Sequence, residues 1–245
     1  MKRVMLTVAY DGTNYHGWQL QPNAVTVEGA LNKALSALFG EEITVIGASR
    51  TDTGVHALGN IAVFDTSARM PAEKISYALN QRLPEDIRIQ ASNEVALDFH
   101  PRHQDSRKTY EYKILNTEFP IPTYRLYSHF TYVPLDVEKM NEAAQYFKGK
   151  HDFKSFCSAD SAVDTTVRTI YDISVRKSGD MITIRVTGSG FLYNMVRIIA
   201  GTLIEVGRGN MQAFQIPEII EARERSKAGP TAPACGLTLV SYEYL

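Results

Sequence analysis

The run Gly47-Ala48-Ser49-Arg50-Thr51-Asp52-Thr53-Gly54-Val55-His56-Ala57 sets one carboxylate among small residues, between an arginine and a glycine. Small neighbours let the backbone of a second molecule approach the acid closely. An Asp-x-Gly is also ordinary turn chemistry, so in isolation the run reads first as a loop that caps itself. Asp52-Thr53-Gly54 spells the aspartic-protease triplet, but those enzymes need two aspartates sharing a proton. The chain has no second Asp-Thr/Ser-Gly, and Arg50 favours an ionised Asp52, the opposite of a shared-proton pair. An ionised lone carboxylate has two catalytic uses, nucleophile or general base.

A carboxylate that attacks carbon needs a cation to orient it, and Arg197 is the candidate. Asn194, Arg197 and Gly201 fall at i, i+3 and i+7 of a helical stretch, a narrow polar or small stripe. Met195, Val196, Ile198 and Ile199 fill most of the remainder. The plainer alternative is a solvated arginine on an amphipathic face. Tyr110 and Tyr112, two apart on a strand, point the same way. With thirteen tyrosines in the chain, core packing is their ordinary reading. Beside Arg107 and Lys108, an exposed ring could instead stack on a nucleobase while the cations hold phosphates.

The net charge of −1 argues against a protein that is basic all over, though not against a local basic surface. The densest basic segment is Arg102-His103-Gln104-Asp105-Ser106-Arg107-Lys108. His100 and His103 lie about Pro101 in a loop-like stretch, and no third ligand is spaced to join them, so no metal site is expected. Cys157 and Cys235 stand in no metal-binding spacing and fit a reduced, cytoplasmic setting. Met1 to Leu6 runs straight into a strand pattern rather than a signal-peptide core. No apolar stretch approaches the roughly 20 residues of a membrane-spanning helix.

The elements that must carry these residues follow from periodicity. Residues 3–10 alternate as a strand, and Thr26 caps a helix over 27–39 that Gly40 ends. Its apolar face is Val27, Leu31, Ala34, Leu35 and Leu38. Apolar stretches at 43–46 and 61–64 predict strands on either side of the Asp52 loop. A second helix is expected from Pro71 to about residue 82, and a strand over 86–95. The pattern then recurs: a strand over 109–115, a helix over 137–147 stopped by Gly149, and strands over 168–175 and 181–187. A helix over 192–206 and a strand over 237–244 complete it. Each half reads β-α-β-β-α-β, the ferredoxin-like order of an α+β protein. The halves divide at 1–105 and 106–245. Their antiparallel sheets are expected edge to edge around a central cleft faced by the Asp52 loop, the Tyr110 strand and the Arg197 helix.

Five ordered segments together resemble one family, the tRNA pseudouridine synthases of the TruA type. The likeness opens at Val8-Ala9-Tyr10-Asp11-Gly12-Thr13-Asn14-Tyr15-His16-Gly17-Trp18-Gln19 and continues through Ser49 to Ala57. It extends through His151-Asp152-Phe153-Lys154-Ser155-Phe156 and Met195-Val196-Arg197 to Gly207, and ends at Ala232-Pro233 with Gly236-Leu237. The resemblance implies an isomerase that converts uridine to pseudouridine at positions 38, 39 and 40 of the tRNA anticodon arm. It implies a homodimer, no cofactor and no metal. It places Asp52 as the nucleophile and Arg50 as the arginine that displaces the target base. Tyr110 becomes the tyrosine on the extruded uracil, and Arg197 the arginine paired with the nucleophile. Thr53 stands where alanine is common in the family, and Glu111 where a basic residue is frequent. The competing expectation is an RNA-binding module of the same fold without chemistry.

Overall fold

The computed structural model describes residues 1–158 and 164–245. The chain falls into two compact units, Met1–Asp105 with Leu239–Leu245, and Ser106–Thr238.

In the first unit the elements run β1 (Lys2–Tyr10), α1 (Val27–Phe39), β2 (Ile46–Gly47), β3 (His56–Thr66), α2 (Ala72–Asn80) and β4 (Ile87–Val95). The strands pair antiparallel, with β1 between β4 and β3 and β2 along β3. This is the β-α-β-β-α-β order of an α+β unit. Period-two burial holds β1 to its face: Val4, Leu6, Val8 and Tyr10 are buried and their neighbours are not. Thr26 caps α1, its hydroxyl accepting from Gly29 N, and Gly40 closes it in the left-handed conformation. Leu38, expected on the apolar face, is only half-buried.

The strand expected over 43–46 shrinks to two residues. Ile43 N donates to Ser36 Oγ at 2.9 Å and Val45 N to Asn32 Oδ1 at 2.9 Å. Side chains of α1 thus take the backbone bonds that a neighbouring strand would otherwise supply. Pro71 precedes α2 as its cap rather than opening the helix, consistent with its fixed φ and missing N–H.

The second unit contains β5 (Ser106–Asn116), β6 (His129–Thr131), α3 (Val137–Gln145), β7 (Gly149–Asp152), β8 (Val167–Ser178), β9 (Met181–Gly188), α4 (Met195–Gly207) and α5 (Ile216–Ala222). Strands β5, β9, β8 and β7 pair antiparallel in that order, and β6 runs parallel along the end of β5. The last strand, β10 (Leu237–Tyr244), starts in this unit, and from Leu239 its residues belong to the first. Gly149 opens β7 rather than merely ending α3, which stops at Gln145. The short β6, β7 and α5 had no expected counterpart. Helix α4 is buried on nearly every side, so it is an interior helix rather than an amphipathic surface one. No helix among the described residues is long and apolar enough to cross a membrane.

Tyr10, Tyr15, Tyr112 and Tyr244 are driven above the ordinary phenol range, chiefly by burial. At Tyr15 the hydrogen bond to Asp86 adds to the effect. A raised folded-state pKa gives stability that is complete below the unfolded value and lost above it. Unfolded tyrosine ionises near pH 10. Thermal melts should therefore be flat in this respect up to about pH 10 and fall steeply beyond it; an unchanged melting point at pH 11 would contradict the assignment.

Candidate active site

The loop that carries Asp52 leaves β2 and enters β3 tied down at most of its residues. Ala48 N donates to Ile61 O at 2.8 Å. Asn60, fully buried, holds the next residue twice: its Oδ1 accepts from Ser49 N at 3.3 Å and its Nδ2 donates to Ser49 O at 2.9 Å. The same amide donates to Tyr10 OH at 3.3 Å, and that hydroxyl lies 2.7 Å from Thr51 Oγ1. Ser49 and Thr51 are accordingly buried and Arg50 between them is exposed, the alternation of an extended chain. Asp52 follows, half-buried, and Thr53 is exposed.

A second segment, residues 12–18, lies backbone against backbone along this loop. Trp18 N donates to Thr51 O at 3.0 Å and Gly54 N to Tyr15 O at 3.2 Å, while Val55 N returns to Asp52 O at 3.1 Å. A side-chain carbon at Gly12 would sit 2.0 Å from Val55 O, and one at Gly17 would sit 2.6 Å from Thr51 O. Gly17 also has φ +83, a region that a side chain disfavours. Glycine is therefore required at both positions for the two chains to touch. The phenol of Tyr10 stays protonated at neutral pH, since burial raises its pKa despite the hydrogen bonds to Thr51 and Asn60.

In the second unit, Tyr110 is not the exposed ring that stacking on a free base would require. Only 7% of it is accessible, and Phe191 meets its ring edge-on, with centroids 5.2 Å apart at 85°. The reason is local: Tyr110 and Tyr112 share the buried face of β5, and Phe191 packs against the first of them from the connection between β9 and α4. Tyr112 is fully buried and donates through its hydroxyl to Pro233 O at 2.8 Å. Glu111, on the other face, pairs with its cross-strand partner Arg185 at 2.5 Å. Its charge is thus met within its own sheet.

Arg197 is not a solvated surface arginine. Its Nε donates to Ala232 O and its Nη1 to Asn194 Oδ1, both at 2.8 Å. The stripe of Asn194, Arg197 and Gly201 thereby has a structural meaning. Asn194 holds the arginine, and Gly201 leaves room for the carbonyl of Pro230, which lies 1.8 Å from where a side-chain carbon would be. Asn60 and Tyr10 were not singled out as site builders from the sequence. A polar Asn60 directly before the apolar Ile61 to Phe64 is the signal that marks the first of them.

His100 and His103 stack face to face with ring centroids 3.8 Å apart. His100 Nδ1 accepts from Arg102 N at 3.2 Å. Among the described residues no group of three His, Cys, Asp or Glu side chains is placed to hold a metal ion.

These features lie in a chain that a family model described as tRNA pseudouridine synthase matches over residues 6–104 and 143–245. The chain belongs to that family. It is 50% identical over 244 residues to a protein of Acetivibrio thermocellus named tRNA pseudouridine synthase A, and 51% identical over 245 residues to one of that name from Ruminiclostridium cellulolyticum. A third so named, from Brevibacillus brevis, is 46% identical over 244 residues. Each alignment covers 100% of this chain and 100% of the relative.

The backbone contact at Gly17 sets a measurable expectation. Gly17→Ala should lower the unfolding free energy by about 1–3 kcal/mol, read by urea denaturation, and turnover should fall further than stability alone explains. Wild-type stability and turnover together would show that the two backbones do not need to touch.

Proposed function

We propose that this protein is a tRNA-modifying isomerase that converts uridine to pseudouridine. The observation that carries the reading is a full-length relationship to proteins named for this activity, combined with a half-buried Asp52 on a loop held by backbone hydrogen bonds at Ser49, Thr51, Asp52, Gly54 and Val55. The reaction breaks the N1–C1′ bond of the target nucleoside and forms a C5–C1′ bond to the same base. The hydrogen at C5 leaves as a proton, and N1 gains one. No electrons enter or leave, so the balance requires no redox cofactor.

Asp52 is assigned as the nucleophile toward the ribose. Rigid mounting suits that role, because a catalytic group held in attack geometry lowers the barrier mainly through orientation. Arg50 is assigned as the residue that fills the gap left by the extruded uridine. Its exposure between two inward-facing neighbours suits insertion into a helical stack, whose opening costs a few kcal/mol. Tyr110 is assigned to the wall of the uracil pocket and to the C5 proton. Arg197 takes the part of the arginine that keeps the nucleophile ionised. The substrate uridines are positions 38, 39 and 40 of the anticodon arm, and the enzyme works as a homodimer in the cytoplasm.

Tritium release from tRNA transcripts labelled at uracil C5 tests the assignment. Wild type is expected to release label, and Asp52→Ala none above background. Equal release from both would sink Asp52 as the nucleophile, and no release from either would favour an RNA-binding module. Tyr110→Phe preserves the ring and its packing on Phe191, so tRNA affinity should stay within about threefold while release slows. A severe loss of affinity instead would count against stacking on the uracil as its main role.

A further inference from the structure

Asn194 occupies the residue before α4, where asparagine ordinarily turns its side-chain oxygen onto a backbone N–H of the first turn. It makes no such bond. Its backbone stands at φ 61, the left-handed conformation that asparagine adopts more readily than other non-glycine residues. The side chain is used elsewhere. Its Oδ1 accepts from Arg197 Nη1 at 2.8 Å, and its Nδ2 donates to Ser158 Oγ at 2.9 Å. That orientation is fixed by chemistry, because a guanidinium offers donors alone.

The opposite edge of the guanidinium is held as well. Nε donates to Ala232 O at 2.8 Å, and Ala232 N donates back to Arg197 O at 3.1 Å. The segment bearing Ala232 is itself anchored: Gly229 N donates to Thr202 Oγ1 at 2.9 Å, and Tyr112 OH to Pro233 O at 2.8 Å. Two bonds to separate nitrogens of a planar group fix its plane. A backbone carbonyl, Ala232 O, holds one of them, and the side chain of Asn194 holds the other.

We propose that Asn194 is a positioning residue that orients the guanidinium of Arg197 for its work on the nucleophile. This rests on the assignment of Arg197 made above. The left-handed backbone of Asn194 places its amide between Ser158 and Arg197 instead of over the helix end. Without that amide, Arg197 keeps its charge and its bond to Ala232 but loses the contact that holds Nη1 in the plane.

The test is a double-mutant cycle in the full-length enzyme, read by tritium release from C5-labelled tRNA. Asn194→Gly removes the side chain and keeps the left-handed backbone, which glycine adopts freely. It should lower kcat roughly ten- to a hundredfold with KM for tRNA within about twofold of wild type. Arg197→Lys keeps the charge and cannot reach both anchors, so it should also slow release. On that background, Asn194→Gly should cost less than about twofold more, because the two residues act as one unit. A wild-type kcat for Asn194→Gly, a loss confined to KM, or losses that multiply across the cycle would each overturn the proposal. Arg197→Lys at the wild-type rate would remove the assignment of Arg197 and this proposal with it. A slowed Arg197→Lys beside an unaffected Asn194→Gly would remove the proposal alone. If Asn194→Gly does not fold, Ser158→Ala asks the same question: lower kcat at unchanged KM supports the proposal, and unchanged kcat overturns it.

Discussion

Residues 12–18 and 51–55 meet as bare backbone, and the position of Asp52 depends on that meeting. Side-chain contacts can adjust by changing rotamer, whereas two main chains in van der Waals contact and joined by hydrogen bonds have little room to shift. The glycines at 12 and 17 permit the approach, and the bonds from Trp18 to Thr51 and from Gly54 to Tyr15 set its register. Tyr10 and Asn60 then tie the loop to β1 and β3 from beneath. The carboxylate is thus mounted on the sheet rather than on a free loop.

The second unit solves a related problem by different means. An arginine on a nearly wholly buried helix would be costly to leave without partners, and its long side chain would otherwise sample many rotamers. Ala232 and Asn194 answer both demands at once. Glu111 and Arg185 show the same economy on the sheet: the charge of one is met by the residue directly across the ladder.

Much of this was legible in the chain. The alternation of β1 and β5, the Thr26 and Gly40 caps of α1, and the place of Asp52 between strands all follow from local chemistry, and the structure carries them. What was not legible depends on tertiary pairing. The strand expected over 43–46 is apolar enough, yet Asn32 and Ser36 intercept its hydrogen bonds. Tyr110 is surrounded by polar neighbours in sequence, and only the packing of Phe191 reveals that its ring is covered. The stripe on α4 was visible as a pattern, but nothing in its spacing says that Asn194 gives up its cap to hold an arginine. Elements of three or four residues, such as β6 and β7, are too short for periodicity to mark.

The bonds from Asn32 and Ser36 to the chain at 43–45 give helix α1 an unusual second duty. Alanine at either position would raise intrinsic helix propensity, and a propensity-guided stabilisation would choose it. The same change would release the leash on the segment that feeds the Asp52 loop, since Ser36 Oγ and Asn32 Oδ1 are the acceptors that hold the amides of Ile43 and Val45. A better helix would then be a looser anchor, and variants selected for melting temperature alone would drift toward a sturdier protein with a wandering loop.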